Sequence, residues 1–509
     1  MKKTGNFCKV ALLLFLSLSL VFVLAGCADK QDKTLKEGTY TETVDGYHGK
    51  IEVTTKVDKD GKIVDVIIGD HSETDGVGTV AIEKLPELII EKQSLDVDGV
   101  SGASITMAGI LNSVATSIEK AGGDLLDFGW SKENTGLAED YPLPSIDSNK
   151  MPEKAEKTGS VIVVDAKGRE VEIPLPLSTY AVSTMDVLEY IIPLKGEDAF
   201  NMLVGSGQDG GHGLNKYAEL YTPVVGNYME HVGQISEHNA PFDLEMLLAM
   251  HPEVLIANSA MGAHKYALEI EETLESAGIK IILVDVPGKK LETSVTDTMK
   301  ILGQIFQEEE KANEVSAFID DQFKLITSKN LSKKEHIPTV YYEKSGYSQV
   351  FGSTATSKSG WGLPVKVAGG KNIADEVLLD TAASKGASNT LDPEYVLEKD
   401  PEFIILSGVN DGWLDILREK KEPDFDILKR NGWSNLQAVK NGNVYEFAHS
   451  TSRSIYGFYP TLKMAKLFYP EEFADLNPEA VLQEFFDRYM LLDTDISTWF
   501  TKADTSNVK

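Results

Sequence analysis

The most constraining feature of this chain is one short pattern written twice. Glu245-Met-Leu-Leu-Ala-Met-His251-Pro252-Glu253-Val-Leu-Ile returns as Glu394-Tyr-Val-Leu-Glu-Lys-Asp400-Pro401-Glu402-Phe-Ile-Ile. In both copies the proline falls seven positions after the first glutamate. Proline cannot continue a helix, so each copy reads as a helix, a turn and then a buried strand. Two such units far apart predict two similar α/β lobes, with chance similarity of two helix–strand units as the alternative. Between them, residues 291–328 carry Val295, Met299, Leu302, Ile305 and Phe306 at helical spacing. A helix of that length can span two lobes as a stiff connector.

The first residues do not read as fold. Lys2, Lys3 and Lys9 flank an apolar stretch, Val10 to Leu24, that ends in Ala25-Gly26-Cys27. Positive start, apolar run and small-residue end make a secretory signal over residues 1–26. Leu24-Ala25-Gly26-Cys27 resembles a bacterial lipobox, which implies cleavage before Cys27 and lipidation of its sulfur. An uncleaved membrane anchor is the alternative, and both readings leave the rest of the chain tethered outside the cytoplasm. Cys8 and Cys27 are the only cysteines, so a processed chain would have no disulfide. The 79 acidic against 49 basic residues leave a net charge of −30, which opposes nucleic-acid binding.

At 509 residues the chain needs several compact units. Residues 27–36 suit a tether, 37–125 a first α+β unit, and 126–158, with Pro142, Pro144 and Pro152, a linker. Residues 159–509 form the larger unit: lobe one at about 159–290, the connector at 291–328 and lobe two at 329–509. In the first unit, Ile51, Val53, Thr55 and Val57 alternate with polar residues as one face of a strand. Asp60-Gly61 marks a turn, Ile63–Ile68 returns as a second strand, and a short helix is expected over Leu85–Lys92, its start placed there by Pro86. A clearer helix starts near Ser104, with Ile110, Leu111, Val114 and Ile118 on one face and Gly122-Gly123 as its stop. Just before it stands Asp98-Gly99-Val100-Ser101-Gly102-Ala103-Ser104-Ile105-Thr106. A small-residue turn bearing hydroxyls at a helix N-terminus suits a phosphate. The plainer reading makes Ser104 an N-cap and Asp98 a turn residue.

With Gly38-Thr39-Tyr40, Gly46-Tyr47-His48-Gly49 and His71-Ser72-Glu73-Thr74, this motif resembles the FMN-binding domain of peripheral subunits of sodium-translocating quinone reductases. The resemblance covers about residues 37–123. It implies an α+β FMN-binding domain with FMN esterified through its phosphate to Ser104, Thr106 being the fallback. It places Ser101, Gly102 and Ala103 in the attachment turn, Asp98 beside the hydroxyl or a metal, and Glu73 and Thr74 near the flavin. It further implies a separate flavin transferase that uses FAD as donor.

The larger unit resembles the substrate-binding lipoproteins of ABC importers for ferric siderophores, haem and corrinoids. The segments that carry this are Val164–Val171, Val232-Gly233-Gln234 with Asp243-Leu244-Glu245, Gly369–Ala374, Asp400-Pro401-Glu402 and Ala465–Glu471. The resemblance implies a two-lobed α/β periplasmic-binding-protein fold with a helical inter-lobe connector and a ligand cleft. It implies docking on a permease through Glu245 and Glu394, which as first-turn helix acids would also suit the helix dipole. Cleft candidates are Tyr228, Met229, Met261, His264, Tyr347, Trp361 and the run His449–Tyr456, with Arg453 and Trp361 foremost. Arg453 suits a carboxylate-bearing chelate or tetrapyrrole, whereas His449 or Tyr456 could coordinate metal. Gly205-Ser206-Gly207 and Gly210-Gly211-His212-Gly213 lack the context of a phosphate fingerprint and read as a flexible loop. The expectation is a lipid-anchored importer receptor for a metal chelate. Its FMN would take electrons from a membrane donor and pass them to the captured metal. The alternative is a flavinylated electron relay or reductase whose lobes act independently.

Overall fold

The computed structural model describes residues 35–46, 49–73, 78–97, 104–130, 151–207, 213–237, 240–259, 263–286, 291–344, 354–381, 389–412, 425–449, 451–497, 499–506 and 508. The chain divides into two compact units, Met1–Tyr141 and Pro142–Lys509.

The first unit is built on a three-stranded antiparallel sheet, β1 (Gly38–Gly46), β2 (Gly49–Val57) and β3 (Ile63–Ile68), in that order. Ile51, Val53, Thr55 and Val57 of β2 are buried, as the alternation predicts. They face α1 (Gly78–Lys92) and α2 (Ser104–Lys120), which pack on the sheet. Ile110, Leu111, Val114 and Ile118 are buried on α2. The expectation that α1 starts near Pro86 is corrected: it begins at Gly78 with Pro86 inside. An interior proline costs about 3 kcal/mol. Burying Ala81, Leu85 and Ile89 on one face offsets that, since each large apolar side chain contributes about 1.5–3 kcal/mol.

The second unit opens with an antiparallel hairpin, β4 (Gly159–Val164) and β5 (Glu170–Leu175). Sheet one holds β6 (Tyr180–Val182), β7 (Leu203–Gly207), β8 (Gly233–Ser236), β9 (Val254–Asn258) and β10 (Lys280–Val284). They are all parallel, in the order β10-β9-β6-β7-β8. Sheet two holds β11 (Thr339–Glu343), β12 (Lys371–Asn372), β13 (Phe403–Gly412), β14 (Val444–His449) and β15 (Phe500–Lys502). Its order is β12-β11-β13-β14-β15, with only β15 antiparallel.

The repeated pattern builds the same device in each lobe. Helix α5 (Leu244–Met250) leads into β9, and α8 (Pro393–Lys399) leads into β13, so both copies feed an inner strand of a parallel sheet. Asp243 caps one helix by accepting from Met246 N at 2.9 Å; Asp392 caps the other by accepting from Glu394 N at 2.7 Å. His251 (φ 42°) and Asp400 (φ 41°) close them in the left-handed conformation. The Glu253 carboxylate then accepts from Ser178 N at 2.7 Å, while Glu402 accepts from Thr339 N at 3.0 Å. In return Thr179 Oγ1 accepts from Glu253 N at 3.3 Å, and Thr339 Oγ1 from Glu402 N at 3.2 Å. The Pro-Glu step therefore staples the incoming strand to the start of its neighbour.

The connector is helical but divided into α6 (Leu291–Phe306) and α7 (Glu309–Thr327), with Gln307 between them at φ 56°. A Cβ on Gly303 would stand 2.6 Å from Ala312 Cβ. In a continuous helix residues nine apart are separated by about 13 Å along the axis. The two helices therefore fold back on one another. Their apolar faces join a core that runs through both lobes: Phe306 meets Tyr180 edge-on at 5.3 Å, and Phe318 meets Phe458 at 6.0 Å. The end of the expected linker also belongs to lobe one. Lys154 Nζ donates to the His251 carbonyl at 2.7 Å, and Lys157 pairs with Glu253 at 2.6 Å.

Candidate functional site

In the first unit the structure joins two residues that the sequence had separated. The Thr106 hydroxyl, in the first turn of α2, donates to the Glu73 carboxylate. Thr106 is fully buried and Glu73 is 7% exposed. The loop holding Glu73 is braced by Glu73 N donating to His71 Nδ1 at 3.3 Å, which gives His71 a structural role. Asp98, Ser101, Gly102, Ala103 and Thr74 lie outside the described residues, as does Cys27 with the leader. Ser104 opens α2, a helix of 17 residues, while nothing is described of its side chain. The N-terminus of a helix of this length suits a phosphate, because its first-turn N–H groups are free of helix partners and the dipole favours negative charge there.

In the second unit helix α3 (Leu188–Lys195) follows β6 and carries Glu189, while Tyr456 follows β14. Burial pushes the Tyr456 phenol well above its ordinary pKa, and the Glu189 charge across the lobes adds to that. Tyr217, on α4 (Leu214–Val225), donates to Glu189 at 2.6 Å. Tyr228 packs on Phe200 at 4.8 Å, and Tyr456 stacks on Phe486 at 5.3 Å and meets Trp499 at 5.6 Å. Tyr228 and Tyr456 were expected to line an open cleft. This is corrected: they are 3% and 0% exposed, because these aromatic contacts place them in the shared core. Met229 packs partly buried against the same core.

Trp361 and His449 do come together. Their rings stack 4.5 Å apart at 15°. Sequence reasoning missed the third member, Lys344, whose Nζ lies 4.4 Å from the Trp361 ring centroid. It was findable as the first residue beyond a buried strand. Ser407 Oγ on β13 lies 3.1 Å from His449 Nδ1. On the opposite face of β11, Glu343, 1% exposed at its side chain, takes a bidentate pair from Arg430 at 2.8 Å and 2.8 Å. Tyr341 donates to the same carboxylate at 2.7 Å. Tyr347 and Met261 lie outside the described residues, as do the side chains of His264 and Arg453.

Two further expectations are corrected. Glu394 is exposed at the start of α8, but Glu245 is fully buried, so the docking pair is not two equivalent surface carboxylates. The cause is that α5 lies close on β8: a Cβ on Gly233 would stand 2.7 Å from both Met246 and Met250 sulfurs. Gly205-Ser206-Gly207, expected as a flexible loop, is buried strand β7. Glycine is required at Gly207 because a Cβ there would stand 2.1 Å from the Ser183 carbonyl oxygen. Gly210, Gly211 and His212 lie outside the described residues.

Residues 46–119 match the family described as FMN-binding domain, and residues 217–450 match the one described as periplasmic binding protein. The chain joins an FMN-binding domain to a periplasmic binding protein. Its flavin unit is similar to NADH:acrylate oxidoreductase of Vibrio harveyi, at 33% identity over 87 residues. That stretch is 17% of this chain and spans only 9% of the relative's length. The binding unit is similar to the molybdate-binding protein MolA of Haemophilus influenzae, at 22% identity over 64% of this chain and 90% of that protein. The crystal structure of the TroA-like periplasmic binding protein FepB from Veillonella parvula matches in fold. Its TM-score is 0.58 at 24% identity, covering 68% of this chain and all (100%) of that one.

Proposed function

We propose that this protein is the extracytoplasmic, lipid-anchored receptor of an ABC importer for a metal chelate, carrying FMN covalently on Ser104. Cys27 holds it to the membrane, and a permease takes the ligand from its two lobes. A flavin transferase loads the FMN from FAD, and a membrane donor reduces it. When bound, FMN supplies one- and two-electron transfer, which suits reduction of a captured ferric chelate and release of its metal. The chain's own part is retention and placement: Ser104 holds the phosphate, and Thr106 with Glu73 orders the first turn beside it. The observation that carries this reading is the Thr106–Glu73 contact at the head of α2, in a chain whose other unit is a two-lobed binding protein.

The test is intact-mass and peptide analysis of protein purified from its native host. An added FMN mass on the peptide containing Ser104, lost in Ser104→Ala, supports the reading; flavin-free native protein overturns it. The division into two separate units favours a second reading, in which the flavin serves other proteins as an independent relay. Deleting residues 37–125 separates the two: unchanged chelate uptake supports independence.

A further inference from the structure

The carboxyl ends of three adjacent parallel strands of sheet two converge on one group of side chains. Lys344 follows β11, Ser407 lies on β13 and His449 ends β14. In open parallel sheets this is the edge outside which ligands bind. Lys344 is only 8% exposed and His449 only 7%. A lysine is seldom withdrawn from water this far, since desolvation disfavours its charge. Here the ammonium lies over the Trp361 indole at 4.4 Å, where the ring's negative face holds a cation in a fixed place. The same indole stacks on His449 at 4.5 Å, and Ser407 Oγ at 3.1 Å from Nδ1 fixes the imidazole from its other side.

We infer that Lys344 and His449, set by Trp361, recognise an anionic group, so that the ligand of these lobes is a negatively charged chelate. Carboxylate or catecholate oxygens supply that chemistry. This inference rests on the proposed role of the lobes in ligand capture and narrows it. The charge of the whole chain makes the point sharper. At −30 the protein repels anions at long range, so an anionic ligand needs a local, desolvated cation, where electrostatic attraction is strongest. Trp361 is thereby a positioning residue. An indole face already stacked on an imidazole cannot also stack on a macrocycle, which separates this site from one built to receive a flat neutral ring system.

The test is calorimetric titration of the full-length protein with ferric citrate, an anionic ferric tris-catecholate and neutral cyanocobalamin. Binding of an anionic ferric probe, with no binding of cyanocobalamin, is the expected result. Lys344→Gln should then weaken that binding by about tenfold or more, the effect of losing one charge-assisted hydrogen bond. Lys344→Arg should recover most of it, and melting curves should confirm that both variants are folded. Anionic binding that is unchanged in folded Lys344→Gln overturns the inference and leaves the capture role standing. So does tight binding of cyanocobalamin. Failure of every probe, in protein shown to be folded, overturns the capture of metal chelates itself and the inference with it. The probe-charge arm uses the natural protein, so it decides the question even if Lys344→Gln does not fold.

Discussion

Replacing Thr106 by valine tests the flavin unit at its most informative contact. Valine keeps the branched shape of threonine, so packing around this fully buried position changes little. What is lost is the hydroxyl that donates to Glu73, and the carboxylate, 7% exposed, stays behind without that donor. A hydrogen bond to a charged group contributes about 1.5–3 kcal/mol. In a domain of this size each kcal/mol moves the melting midpoint by about 4–8 °C. Thr106→Val should therefore lower the first-unit transition by about 10 °C, while the second unit, compact in itself, melts as before. The assay is scanning calorimetry of the full chain made without a flavin transferase, so both proteins are compared flavin-free. Thr106→Ser should restore the transition. Co-expression with the transferase then separates the two hydroxyls: Thr106→Val should still accept FMN, and Ser104→Ala should not. An unshifted transition would refute the argument that this contact organises the site.

Three further outcomes are expected. Arg430→Met should destabilise the second unit by about 3–5 kcal/mol in urea unfolding, because it strands the buried Glu343 carboxylate. Adding Glu343→Gln should return much of the loss. Glu376 is held down to about 2 by hydrogen bonds from Lys371 and then Lys399, at 2.8 Å and 2.6 Å. Its folded-state pKa is depressed, so its contribution is present above the ordinary carboxylate range and fades as pH falls toward 2. The group is 32% exposed, so solvent screening keeps that contribution under about 1 kcal/mol. Urea titrations on the acid side should show Glu376→Gln losing this part of the pH slope. Finally, Glu394→Ala should reduce ligand-dependent ATPase of the reconstituted permease without changing melting, whereas Glu245→Ala should lower the melting midpoint, since Glu245 is buried.

Legibility followed the range of the interaction. Ile51, Val53, Thr55 and Val57 declared their strand because burial there repeats every second residue. The helix from Ser104 was visible in its apolar spacing and its glycine stop. Pro86 misled, because local propensity argues against an interior proline and cannot weigh the burial of Ala81, Leu85 and Ile89 around it. Gly205-Ser206-Gly207 misled in the opposite sense: composition says loop, but close approach of Ser183 demands glycine inside a strand.

What the chain determined by itself was the plan: two units, two lobes from one repeated pattern, and a hydroxyl-rich turn at a helix start. Those features are local, carried by periodicity, capping and turn chemistry within a dozen residues. Only the tertiary structure decided which residues meet. It set Glu73 against Thr106, divided the connector at Gln307, and drew Tyr456 and Glu245 out of solvent. It also placed Lys344 over Trp361 beside His449. Burial and side-chain contact depend on strands and helices far apart in sequence, and no local pattern records what will pack against it.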